Sequence, residues 1–125
     1  MKSRKNRNFF ESLGHAFAGI RRVARSERNF RVQIIMGILA IIACIIFQVD
    51  ALMFVLVAFA IFFVLAMELV NTAVEAVVDL VTGGKTHALA KIAKDAAAGA
   101  VLLASAFSVV VAMTVAIVVL GELFG

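Results

Sequence analysis

From Asn8 to Arg25, apolar residues return every three or four positions. Phe9, Phe10, Leu13, Phe17, Ile20 and Val23 recur at helical spacing, with Arg21, Arg22 and Arg25 on or beside the polar side. This spacing predicts an amphipathic helix over 8–25, too polar to cross a bilayer and expected to lie in the membrane interface. Ser26 to Asn29 reads as a break. Beyond it come three nearly unbroken apolar runs, which predict membrane helices at 30–47, 51–81 and 96–120. Gln48-Val49-Asp50 makes a tight turn after the first. Gly83 and Gly84 end the second, and a partly helical, basic connection from Lys85 to Lys94 leads to the third. The expected fold is an all-α integral membrane protein: three transmembrane helices plus an N-terminal amphipathic surface helix, one domain over 1–125. The small-residue run from Ala96 to Ala100 permits the close helix approach of a compact bundle.

Composition agrees with this pattern. Of 125 residues, 64% are hydrophobic and 16% charged, too oily for an ordinary soluble domain. Charge adds an orientation. All twelve Lys and Arg lie either between Lys2 and Arg31 or between Lys85 and Lys94. They fall on one side if the N-terminus and the 82–94 connection are cytoplasmic and the 48–50 turn faces outside. The start does not resemble a secretory signal, because its basic region is long and no small-residue cleavage site follows the apolar run. The net charge of +4 comes without a helix-turn-helix, zinc or single-strand-binding pattern. Anionic lipid head groups, rather than nucleic acid, are the expected partner of the basic residues. Cys44 is alone in an apolar run and reads as a packing residue. Gln33 and Gln48, at the two ends of the first span, read as interface residues.

One oily helix nevertheless carries Glu68, Asn71, Glu75 and Asp79. At about 100° per residue these four project within an arc of roughly 80°. Counted from Ala51, Glu68 stands ~25 Å up the axis, near the far interface of a ~30 Å hydrocarbon core. Carboxylates on one face repel unless a cation or proton intervenes, and hard oxygen donors with few imidazoles suit Mg²⁺. Lys94-Asp95 stands on the same side, where the connection enters the third span. A lysine there can meet phosphate, while Asp95 can hold that lysine or cap the helix. Glu27, at the mouth of the first span, is a candidate third carboxylate. Gly84-Lys85-Thr86 ends like a phosphate-binding loop, but Asp79 occupies the position where that loop needs glycine. These groups point to phosphate chemistry on a membrane lipid. A small transporter using Glu68 as a proton or cation carrier is the rival reading. It would want its carboxylate deeper in the span and has no need of Lys94 and Asp95.

The run from Glu68 to Asp79, ELVNTAVEAVVD, resembles the signature of the small bacterial integral-membrane lipid kinases, the prokaryotic diacylglycerol kinase and undecaprenol kinase family. Ser26-Glu27-Arg28-Asn29-Phe30 and Ala93-Lys94-Asp95 extend the likeness, which covers about Phe10 to Leu120. The resemblance implies a homotrimer in the bacterial cell membrane that transfers the ATP γ-phosphoryl group to a lipid alcohol at the cytoplasmic face. By carry-over, Glu68 is the base and Asn71 orients groups around it. Glu27 and Glu75 hold Mg²⁺ on the ATP phosphates. Asp79, Lys94 and Asp95 line the nucleotide end, with Lys94 countering phosphate charge. Arg21 matches a basic position of the surface helix that contacts phosphate, and Gly19 the matching small position. His15 and Phe17 stand where the best-known enteric-type member has Tyr and Trp, so contacts to adenine and lipid differ there. The segment from His87 to Ala100 looks like the Gram-positive type, many of whose members phosphorylate undecaprenol. Undecaprenol is the expected acceptor, with diacylglycerol the alternative.

Overall fold

The computed structural model describes residues 8–125; the basic residues Lys2, Arg4, Lys5 and Arg7 lie outside them. Four helices follow in order: α1 (Phe9–Ser26), α2 (Arg28–Ile46), α3 (Ala51–Thr82) and α4 (Ala88–Phe124). Local chemistry sets their ends. Asn8 Oδ1 accepts the Glu11 N–H at 2.8 Å and Asp50 Oδ1 accepts that of Met53 at 2.8 Å, so α1 and α3 start on side-chain caps. Gly83 closes α3 in the left-handed region at φ 62°, its N–H returning to the Asp79 carbonyl. Between α2 and α3, Gln48 takes φ 54° at the tight turn.

The largest departure from the expected elements is the start of α4. It begins at Ala88, not at 96, and takes in most of the basic connection. His87 caps it, its Nδ1 accepting the Leu89 N–H at 3.0 Å. Six alanines between Ala88 and Ala98, the best helix formers, carry the helix through the charged residues. Lys91, Lys94 and Asp95 are therefore on a rigid rod and not in a loop.

α2, α3 and α4 are long and apolar enough to cross a membrane. At ~1.5 Å per residue, α3 and α4 reach ~48 and ~56 Å, well beyond a ~30 Å hydrocarbon core. Both overhang at the end where α3 meets α4 through Gly83 and Gly84. Large apolar side chains stand exposed along all three, among them Ile35, Leu39, Leu52, Phe62, Leu103 and Ile117. Such surfaces would aggregate in water and are at home in lipid. α1 differs: none of its residues is buried, and Phe9, Phe10 and Phe17 face outward. Its C-terminal end is tied down by Arg31, whose Nη1 donates to the Ala24 and Arg25 carbonyls at 2.9 and 3.0 Å.

The bundle is centred on α3, which packs against both α2 and α4. Among the described residues, no Cα of α2 comes within 8 Å of one in α4. Buried positions recur at heptad-like spacing, Phe30, Gly37 and Cys44 on α2, Val57, Ala60 and Val64 on α3, Ala104 and Val111 on α4. Cys44, Val57, Ala60 and Val111 form the common core, so Cys44 is a packing residue. Phe59 of α3 meets Phe107 of α4 edge to face at 6.0 Å. The α2–α3 register is set at Gly37, where an added Cβ would stand 2.8 Å from Ile61 Cγ2. Ile61 is β-branched and held to one χ1 rotamer within the helix, so this branch moves away only at a cost. Gly37→Leu is expected to destabilise the protein by about 1–3 kcal/mol. Thermal unfolding in detergent checks this; an unchanged Tm would refute so close an approach.

Candidate active site

Glu68, Asn71, Glu75 and Asp79 lie on consecutive turns of one α3 face. Their exposure grades along it. Glu68 is buried at 6% exposure, Asn71 and Glu75 are half-buried, and Asp79 is exposed. The face thus runs from an apolar environment to water over eleven residues, ~16 Å at ~1.5 Å per residue. A carboxylate sealed among apolar helices has lost most of its hydration, which costs free energy unless neighbours replace it.

Those neighbours are amides. Gln33 of α2 donates from Nε2 to Glu68 Oε2 at 3.4 Å, a long bond across two helices. Asn71 donates from Nδ2 to Glu75 Oε1 at 3.1 Å. Thr72 is spent locally, its hydroxyl donating to the Glu68 carbonyl at 3.0 Å. Both amides leave their oxygens, Gln33 Oε1 and Asn71 Oδ1, buried without a partner. Native structures rarely leave such acceptors empty, so each marks a place for a donor or a cation. By sequence alone Gln33 reads as an interface residue only. Its nearness to Glu68 depends on the antiparallel register at Gly37 and Ile61, for which the sequence gives no signal.

At the exposed end, Lys94 Nζ of α4 donates to Asp79 Oδ1 at 2.7 Å. This pair joins the overhangs of α3 and α4 and keeps the ammonium at the end of the acidic face. Its stabilising effect is small, because both groups are exposed. Asp95 neither holds Lys94 nor caps α4. It pairs with Lys91 one turn back at 2.6 Å, and the cap is His87. On α1, Gly19, Arg21, Arg22 and Arg25 line a shallow basic cleft. Glu27 is the hinge between α1 and α2, half-buried, with no side-chain capping bond.

The donors fit a hard divalent cation in kind: the Glu75 carboxylate, the empty Asn71 oxygen beside it and the Glu27 carboxylate are oxygen ligands suited to Mg²⁺. Their number within one chain falls short. Among the described residues, no three His, Cys, Asp or Glu converge to hold a metal ion.

The sequence profile of prokaryotic diacylglycerol kinase matches residues 14–116. The chain belongs to this family. Its relatives include a diacylglycerol kinase from Synechocystis sp., 42% identical over 104 residues, 83% of this chain and 59% of that one. The chain thus spans under two thirds of the Synechocystis relative. An undecaprenol kinase from Bacillus subtilis is 37% identical over 119 residues, 92% of this chain and 96% of the relative. A diacylglycerol kinase from Escherichia coli is 33% identical over 100 residues, 80% and 81% of the two chains. By name these relatives are kinases of two lipid alcohols, diacylglycerol and undecaprenol.

Proposed function

We propose that this protein transfers the γ-phosphoryl group of ATP to the hydroxyl of a membrane lipid alcohol, undecaprenol first, at the cytoplasmic face of a bacterial cell membrane. The observation that carries this reading is the graded face of α3, a buried carboxylate at one end and an anchored lysine at the other. Phosphoryl transfer needs a group to take the acceptor proton, positive charge on the transferring oxygens and an in-line approach. Glu68, in the apolar part, is the base that meets a lipid hydroxyl. Asn71 holds Glu75 and orients the groups around Glu68. Lys94 leaves Asp79 or shares it to neutralise phosphate oxygens, and Asp79, Asp95, Gly19 and Arg21 belong to the nucleotide end. Glu75 and Glu27 would hold Mg²⁺, which screens the phosphate charge when bound. The working form is an oligomer, a homotrimer by the family resemblance, in keeping with a chain whose described residues bring no three acidic or imidazole ligands together. The basic residues of α1 rest on anionic lipid.

Undecaprenol is favoured by the near end-to-end match to the Bacillus subtilis undecaprenol kinase. Diacylglycerol is the second reading, supported by the 42% identity to the Synechocystis diacylglycerol kinase. Purified protein given labelled ATP, Mg²⁺ and each lipid in turn is expected to favour undecaprenol by about tenfold or more in kcat/KM. The opposite order would make diacylglycerol the acceptor. Label in neither lipid would sink the kinase reading.

A further inference from the structure

Glu68 is the only buried charged or polar residue among the described ones, and its one side-chain hydrogen bond comes from Gln33. The amide is half used. Nε2 points to the carboxylate, while Oε1 is buried and accepts nothing. Gln33 also lines one end of an open groove of about 660 Å³ between α2 and α4, floored by Val57, Ala60 and Val64 of α3. Apart from Gln33, Ser105 and Ser108, that groove is lined by apolar residues and glycine. Both serine side chains lie on α4, and the Ser108 hydroxyl donates to the Ser105 carbonyl at 2.7 Å. So the residue that holds the buried carboxylate also lines one end of an apolar groove.

We propose that Gln33 binds the acceptor: its Nε2 holds the Glu68 carboxylate, and its Oε1 receives the hydroxyl hydrogen of the incoming lipid alcohol. This rests on the lipid-kinase reading above. A primary alcohol at the head of a hydrocarbon chain brings one donor, and Oε1 is the unfilled acceptor beside the base. Binding through O–H···Oε1 places the hydroxyl next to Glu68 before chemistry. In the transfer, the O–H hydrogen passes to a Glu68 carboxylate oxygen as the O–H bond breaks. The freed lone pair forms the new O–P bond to the γ-phosphorus. The old P–O bond breaks with its electron pair going to the β-phosphate oxygen of the departing ADP. Gln33 is neutral, so it fixes the base without adding charge to it.

The test is the acceptor KM of Gln33→Leu, which removes both amide functions at similar volume, and of Gln33→Glu, which keeps an acceptor oxygen. Gln33→Leu is expected to raise the lipid KM about tenfold or more, while the ATP KM stays within about twofold. Gln33→Glu is expected to restore the lipid KM to within about threefold of wild type. The O-methyl ether of the lipid, which has no O–H to donate, should compete equally well with wild type and Gln33→Leu. If Gln33→Leu does not assemble, Gln33→Met carries the same comparison. A Leu or Met variant that binds the alcohol as wild type does would overturn the proposal. So would a Glu variant as impaired in lipid KM as Leu. A wild-type protein that phosphorylates neither lipid overturns the kinase reading as well, which separates the two failures.

Discussion

Glu68→Gln is expected to lose turnover by about 10²–10⁴-fold while still binding Mg·ATP. The amide keeps the shape and the polar contacts of the buried position but cannot take a proton. Glu68 sits at the buried end of the face, two turns from Glu75 and further from the Asp79–Lys94 pair. Its replacement leaves the nucleotide end intact, so the loss falls on kcat and not on ATP affinity. Glu75→Gln is expected to behave differently. It removes an oxygen charge from the end where Asn71 Oδ1 waits for a partner, so ATP binding in the presence of Mg²⁺ weakens together with turnover. Nucleotide titrations of both variants at fixed Mg²⁺ separate the two roles. Equal loss of ATP affinity in both would mean that base and metal ligand have been assigned to the wrong carboxylates.

How far the sequence foretold this site depends on whether an interaction is local. Asp50, Asn8, Gly83 and the apolar runs act within a turn or two of themselves, so the helix ends they produce could be read directly. The shared face of Glu68, Asn71, Glu75 and Asp79 is also local, a consequence of helical spacing. Contacts between helices are another matter. Lys94 has an aspartate beside it in sequence, yet the structure pairs it with Asp79, fifteen residues away. Asp95 projects about 100° round α4 from Lys94 and meets Lys91 instead. Gln33 meets Glu68 only because Gly37 lets α2 approach Ile61 at one register. The early start of α4 escaped for a different reason. Charged residues read as a connection, but alanine propensity and the His87 cap outweigh them.

Co-assembly of two inactive chains is expected to restore activity. Glu27 lies at the α1–α2 corner and Glu75 midway along the overhang of α3, and one chain supplies no cluster of three acidic or imidazole ligands among its described residues. If each site takes Glu27 from one subunit and Glu75 from its neighbour, a chain with Glu27→Gln and a chain with Glu75→Gln are complementary. In a ring with head-to-tail interfaces, random mixing puts an intact Glu27 beside an intact Glu75 at about a quarter of the sites. Co-expression of the two variants, each dead alone, is therefore expected to return up to about a quarter of wild-type turnover. Differently tagged chains, purified through both tags, confirm that mixed oligomers form and enrich for them. The direction of sharing is irrelevant to this result, because either neighbour order yields complete sites. A co-purified mixture as inactive as its parents would place both carboxylates in one chain. The missing metal ligands would then have to come from phosphate oxygens and water rather than from a second subunit.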